Sequence, residues 1–299
     1  MSSTRATGVA LAFVTALISG VAIFVNGHAV KHFGDATVYT TAKNAVAGVL
    51  LLALAAPLLG GPRSELPSIR KHRLGLLAIA VIGGSVPFVL FFEGLARAEA
   101  TQAAFIQKTL VVWVALIAVP LLHERLGWPH LAAIALLVAG QAWLVGDAGT
   151  VAFGSGEAMI FAATLLWAVE IIVAKKLLAD LDSRLLGMAR MTLGTAVLLG
   201  WVVVSGRADQ LFSLSGDQWS WVLLTGLILA GYVATWFAAL ARAQAVDVTA
   251  VLVFGAVVTA VLSRVADGVA FDLGGAVLIT AGAILVALPA RRRVSPAPA

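Results

Sequence analysis

Phe92-Glu-Gly-Leu-Ala-Arg-Ala98 and Phe237-Ala-Ala-Leu-Ala-Arg-Ala243 are two versions of one heptapeptide, and each closes a long apolar run. Working outward, the match continues. Glu124 falls opposite Asp267, Leu131 opposite Leu273, and Gly140 opposite Gly282. Nearer the start of each copy, Gly8 matches Gly156 and Lys43 matches Arg190. The chain therefore reads as two repeats, residues 1–150 and 151–299.

Each repeat holds five apolar segments. They run over 8–30, 37–59, 74–95, 102–122 and 127–145, then 156–178, 184–205, 219–240, 248–266 and 273–289. A membrane-spanning helix needs about 20 mostly apolar residues, so 299 residues accommodate ten spans with short loops. The runs are continuous and rich in Ala, Leu and Val, not alternating as in a membrane β-barrel. Five is odd, so the second copy enters the membrane from the opposite face. The expected fold is an all-α integral membrane protein of ten transmembrane helices in a five-plus-five inverted repeat, an architecture common among secondary transporters.

Composition agrees. Hydrophobic residues make up 61% of the chain and charged residues 12%, and the mean hydropathy is +1.01. So few charges exclude an ordinary soluble enzyme and a disordered chain. There are no cysteines, which excludes thiolate chemistry and cysteine metal sites. The first segment, with Arg5 ahead of it, has the outline of a signal peptide, but its apolar run is long and no small-residue cleavage site follows. A retained first helix is the better reading.

Lys and Arg set the orientation. With the N-terminus inside, the inner side carries Arg5, Arg63, Arg70, Lys71, Arg73, Arg125, Lys175, Lys176, Arg184, Arg242 and Arg291–Arg293. The outer side carries Lys31, Arg97, Arg207 and Arg264. This bias places both termini in the cytoplasm and the protein in the plasma (inner) membrane. The net charge of +5 is then a topology signal with anionic-lipid contact, not a nucleic-acid footprint.

The stretch Leu95-Ala-Arg-Ala98, then Pro120-Leu-Leu-His-Glu-Arg-Leu126, then Gly140, resembles the EamA family of the drug/metabolite transporter superfamily. The Glu124-Arg125 pair stands where that family tends to have Glu-Arg at the turn between its fourth and fifth helices. The resemblance implies export of amino acids and other small metabolites by alternating access. This sequence departs from the family in two places. The proline often found early in the fourth and ninth helices is missing from 109–113 and 253–256, and Asp267 has no arginine after it.

Five ionisable residues fall inside the apolar segments: Lys43, Glu93, Lys108, Glu170 and Arg190. Facing lipid near the midplane, five such groups would cost about 15 kcal/mol. They must instead face one another, water or a ligand. Counted at 1.5 Å per residue, Lys43 and Lys108 lie about 9 Å from the outer surface, with Glu93 and Asn26 shallower. Arg190 lies about 9 Å and Glu170 about 12 Å from the inner surface. This predicts an outer cluster of Lys43, Lys108 and Glu93 and an inner pair of Glu170 and Arg190. An unpaired buried lysine in the outer cluster either neutralises or attracts an anion, which suits a carboxylate-bearing substrate; structural ion pairs at the helix interface are the alternative. Glu170 is the candidate proton-coupling carboxylate, and a permanent Glu170–Arg190 pair is its structural alternative. Glu93 also reads as a side chain reaching its helix end.

Tyr232 and Trp236 are four residues apart and share a helix face. With Trp167 they are candidates for the apolar part of a substrate pocket, although mid-membrane aromatics also serve as packing. Pro87, opposite Tyr232 in the repeat, is placed to kink its helix. Trp113 reads as mid-membrane, and Trp128, Trp219 and Trp221 as interfacial. His28, His32 and Asp35 have spacing that suits a metal, but a polar helix end explains them as well.

The sequence thus reads as a secondary transporter of small metabolites such as amino acids or organic anions. No cofactor or metal is implied, and the partners are a small-molecule substrate and the lipid bilayer. Export of lipophilic cations is the runner-up, disfavoured because bases outnumber acids in the membrane. An intramembrane enzyme would need a recognisable catalytic set, and a channel one pore lined by equivalent rings.

Overall fold

Helices that carry their own backbone hydrogen bonds, most of them apolar, account for every regular element among the described residues of the computed structural model, which are 3–60, 66–98, 100–124, 126–145, 153–269 and 271–288; a short 3-10 turn at Val30–His32 follows the first of them. Arg63, Arg125 and Arg291–Arg293 lie outside them. The order is α1 (Ser3–Ala29), α2 (Ala36–Leu59), α3 (Leu66–Lys71), α4 (Arg73–Ile82), α5 (Val86–Leu95), α6 (Ala100–Lys108), α7 (Leu110–Leu122) and α8 (Trp128–Val145). Then follow α9 (Ser155–Leu177), α10 (Ser183–Val204), α11 (Ala208–Phe212), α12 (Gly216–Leu240), α13 (Ala245–Leu252), α14 (Gly255–Asp267) and α15 (Leu273–Ala287).

Among the described residues, eight stretches are long and apolar enough to cross a membrane: Thr4–His32, Ala36–Leu59, Arg73–Leu95, Gln102–Leu122, Ser155–Leu177, Ser183–Val204, Gly216–Leu240 and Ala245–Asp267. The protein is a multi-pass membrane protein. The fifth and tenth expected segments are α8 and the 15-residue α15, which pack against each other. A Cβ on Gly140 would strike Gly275 O, and one on Gly282 would strike Leu137, so this pair meets almost backbone to backbone.

Capping side chains fix several starts. The Asp35 carboxylate accepts from Thr37 N and Val38 N at the head of α2. Ser215 and Gln218 form a reciprocal box at α12, and Asp272 accepts from Gly275 N at α15.

Three of the spans are broken. The third breaks between α4 and α5 at Gly83–Gly84–Ser85, where Gly84 packs on Arg190 O and leaves no room for a Cβ. The sequence reading had put the irregularity at Pro87, which instead sits harmlessly in the first turn of α5. The fourth breaks at Thr109, and the eighth long span at Val253–Phe254, the ninth segment of the sequence reading. Thr109 and Phe254 are separated by the spacing that carries Phe92 onto Phe237. Both breaks form without proline, by tightening to three-residue hydrogen bonds: Val112 N to Thr109 O, and Ala256 N to Val253 O. The same spacing relates the left-handed residues that end α7 and α14, His123 (φ 55°) and Gly268 (φ 69°). A histidine held there, at a cost of about 1–2 kcal/mol, marks a turn fixed by its surroundings.

Packing follows the repeat. α1 lies on α12, α13 and α14, and α9 lies on α4, α5, α6 and α7. α2 contacts α10 and α12, while α10 contacts α2 and α4. The outer faces carry exposed Val49, Leu74, Leu116, Trp201, Val204 and Leu227, as a lipid-facing surface requires.

Candidate functional site

Lys43, Glu170, Arg190, Trp167, Tyr232 and Trp236 come from four helices and line one cavity of about 830 Å³, its open mouth included. Sequence had placed Lys43 with an outer cluster and Glu170 with Arg190 in an inner pair. The break after α4 makes the cavity possible. It frees Gly83 O, which accepts from Trp167 Nε1 at 3.2 Å and so turns the indole toward the interior. Tyr232 and Trp236 stack with ring centres 6.0 Å apart, and Trp167 packs edge-on against Phe88 at 5.7 Å.

The charges are arranged unequally. On one side Arg190 Nε and Nη2 donate to the two oxygens of Glu170 at 2.5 and 3.1 Å. Both side chains are almost wholly buried, 6% and 2% exposed. This forked pair is neutral in sum and geometrically strong. On the other side Lys43 Nζ donates to Asn26 Oδ1 at 2.8 Å, and Tyr39 Oη donates to the same oxygen at 2.6 Å. Lys43 Nζ also stands 3.5 Å from the Phe92 ring centre. Among the described residues no carboxylate lies within ion-pair distance of Lys43. Phe88 separates the two cations, 5.8 Å from Lys43 Nζ and 5.2 Å from Arg190 Cζ. The cavity wall therefore carries one base, Lys43, that has no carboxylate partner among the described residues.

The outer cluster expected from sequence does not assemble. Lys108 donates to Ser19 Oγ of α1 at 3.1 Å and lines a separate small void with Gln141. Ser19 in turn lines the main cavity, so Lys108 lies one side chain behind it. Glu93 accepts from Thr37 Oγ1 at 2.8 Å and from Arg97 at 2.7 Å, with Arg207 at 4.0 Å, a polar knot at the helix end. Lys43, by contrast, joins the Glu170–Arg190 pair across Phe88. Trp113 packs on Phe161 and donates to Thr109, away from the cavity.

His28 pairs with Asp267, His32 with Asp217, and Asp35 with Arg207 as well as with its own helix start. These three residues thus tie separate elements at one end of the bundle.

Sequence reasoning missed the polar cluster at the opposite end. Asp247, fully buried in the first turn of α13, accepts from Arg5 Nε at 2.9 Å and meets His130 Nε2 at 3.1 Å. Glu124 accepts from Ala245 N at 2.6 Å and Val246 N at 3.1 Å, capping α13 from the other repeat. Lys175 donates to Leu240 O and Ala243 O. The α12–α13 turn is thus gripped on both sides. A lone acid in the first turn of an apolar run was the available signal for Asp247. At this end too, outside the spans, hydrogen bonding from Lys71 and then His72 holds the exposed Asp180 below the usual carboxylate range.

The model of the EamA-like transporter family matches residues 6–146 and again 154–288. An uncharacterized transporter of Synechocystis sp. is 25% identical over 190 residues, covering 60% of this chain. The chain spans about half the length of that relative, 54%. A solved crystal structure superposes with a TM-score of 0.70 at 18% identity, over 95% of this chain and 96% of the other, a likeness of fold alone.

Proposed function

Because this chain belongs to the EamA-like transporter family of the drug/metabolite transporter superfamily, we propose that it moves small carboxylate-bearing metabolites, amino acids or organic anions, across the plasma membrane by alternating access. One observation carries the substrate class. Among the described residues the cavity presents a single base without a carboxylate partner, Lys43, beside a neutral Glu170–Arg190 pair and a wall of aromatic rings. A monoanionic group would supply the missing countercharge, and the rings would hold an apolar body.

We read the chain as ten membrane helices in a five-plus-five inverted repeat with both termini cytoplasmic. The matched breaks at Thr109 and Val253–Phe254, and the paired packing of α1 and α9, support that reading. In it, Lys43 and the aromatics Trp167, Tyr232 and Trp236 contact substrate, and Lys108 acts one layer behind, through Ser19. Glu170 and Arg190 set the charge of the site, and Glu170 carries any coupled proton. Glu93 belongs to the outer closure. The ties of Glu124, Lys175 and Asp247 close the inner end in this state. Transport, not catalysis, is the activity, and the direction is export.

The aromatic wall also favours a second reading, a lipophilic cation held by cation–π contact. It is the weaker one, because Lys43 and Arg190 already face those rings. The test uses purified protein in liposomes loaded with amino acids, organic acids and cationic dyes, with efflux read by mass spectrometry. Selective loss of carboxylates supports the proposal, and selective loss of cations overturns it.

A further inference from the structure

We infer that the cavity contains a seat for one ligand carboxylate, formed by Lys43, Asn26 and the bare face of α1 at Ala22. This seat is the counterpart of the Glu170–Arg190 pair in the other repeat. The inference rests on the carboxylate reading above and adds where the anionic end is held.

Register comes first. Gly8 packs so closely on Ala243 that a Cβ would collide with it, and Gly156 packs tightly on Gly94 O and Ala98 N, 3.0 and 3.1 Å from where its Cβ would stand. Ala98 and Ala243 close the duplicated heptapeptide, so α1 and α9 match with Gly8 on Gly156. Following both helices from those glycines brings Ala22 onto Glu170. In the neighbouring helices Lys43 matches Arg190. Lys43 O lies against Gly226 of α12, and Arg190 O lies against Gly84 at the α4–α5 break. The two basic residues thus occupy equivalent places, but among the described residues only the second repeat supplies a carboxylate to its base.

The chemistry of the first repeat fits a vacancy of that kind. Ala22 lines the cavity and ends in a methyl group where its counterpart ends in a carboxylate. One turn on, Asn26 Nδ2 donates to Ala22 O at 2.6 Å, and its Oδ1 takes both Tyr39 and Lys43. The ammonium has three donors, of which Asn26 uses one. A ligand carboxylate entering over Ala22 would complete for Lys43 what Glu170 completes for Arg190. The ligand class is a small monocarboxylate with a flat or branched apolar body. A second negative charge would meet Glu170 and be rejected.

The test builds the missing side chain. Ala22→Glu and Lys43→Met are made singly and together, and thermal unfolding is measured in detergent, with 3-phenylpropionate as the binding probe. The expected result is coupling: Ala22→Glu raises the unfolding temperature by several degrees more with Lys43 present than with Met at 43. Ala22→Glu also weakens probe binding at least tenfold, and Ala22→Gln shows no coupling to residue 43. Additive effects of Ala22→Glu and Lys43→Met overturn the seat. Should Ala22→Glu fail to fold, Glu170→Ala provides the reciprocal experiment, since it bares Arg190 as Lys43 is bare. Sodium acetate should then restabilise Glu170→Ala where sodium chloride of equal ionic strength does not, and absence of that rescue overturns the equivalence. Probe binding by the wild type without coupling sinks the seat alone. No probe binding by the wild type sinks the carboxylate reading with it.

Discussion

Methionine at position 43 and methionine at position 190 should have opposite consequences, although the two residues are repeat equivalents. Arg190→Met leaves the Glu170 carboxylate almost wholly buried with its forked partner gone. Breaking a buried pair from one side costs about 3–5 kcal/mol, because a bare charge remains. Lys43→Met removes a buried cation whose partners are neutral. It forfeits one charge-assisted hydrogen bond to Asn26, about 1.5–3 kcal/mol, and cation–π contact with Phe92, about 2 kcal/mol. It regains the several kcal/mol that burying an ammonium costs. The two nearly cancel, so Lys43→Met should stay within about 1–2 kcal/mol of wild type. On the scale of soluble domains the gap corresponds to roughly 6–20 °C in unfolding temperature for Arg190→Met and little for Lys43→Met. Thermal unfolding of the three purified proteins in one detergent measures it. Lys43→Met unfolding as early as Arg190→Met would refute the unequal charge compensation on which the site rests.

Other consequences are independent of that pair. Glu170→Gln should flatten the pH dependence of transport if protons are coupled, and an unchanged profile would remove Glu170 from coupling. Glu124→Ala strips the cap from α13, worth about 1–2 kcal/mol, and should loosen the inner closure. Because the chain has no cysteine, a Leu229→Cys reporter in the cavity wall can be labelled cleanly, several-fold faster from the inner side in the Glu124→Ala background. Lys108→Ala should lower transport without loss of folded protein, and less severely than Lys43→Ala, because Ser19 stands between it and the cavity. Gly140→Val should cost about 1–3 kcal/mol by overpacking against Gly275 O, read as lower folded yield.

Much of the fold was legible because repetition and apolar length are direct sequence signals. The heptapeptide at Phe92 and Phe237 set the register, and the glycines at 8, 140, 156 and 282 lie at close helix contacts. The helix breaks were not legible. Thr109 and Val253 are not helix breakers by type, and packing imposes both tightened turns. Membership of one cavity was misread for Lys43 and the Glu170–Arg190 pair. Counted along the sequence, each base fell about 9 Å from an opposite face of a core about 30 Å thick, which left about 12 Å between them along the normal. Counting depth ignored the reach of two long side chains toward Phe88, and it ignored which helix faces meet. Lys108 shows the same lesson in reverse: it shares a depth with Lys43 but meets α1 at Ser19 and lines a different void. Asp247 was passed over because it stood at the edge of an assigned segment, where a charge reads as loop.

The central claim is that Lys43 makes this cavity a carboxylate site. Equilibrium binding of 3-phenylpropionate and of 3-phenylpropylammonium, equal in shape and opposite in charge, tests it on purified wild type and Lys43→Met. The account predicts that the carboxylate binds at least tenfold more tightly than the ammonium, and that Lys43→Met abolishes the preference. Preference for the ammonium, or a carboxylate preference that survives Lys43→Met, would contradict it.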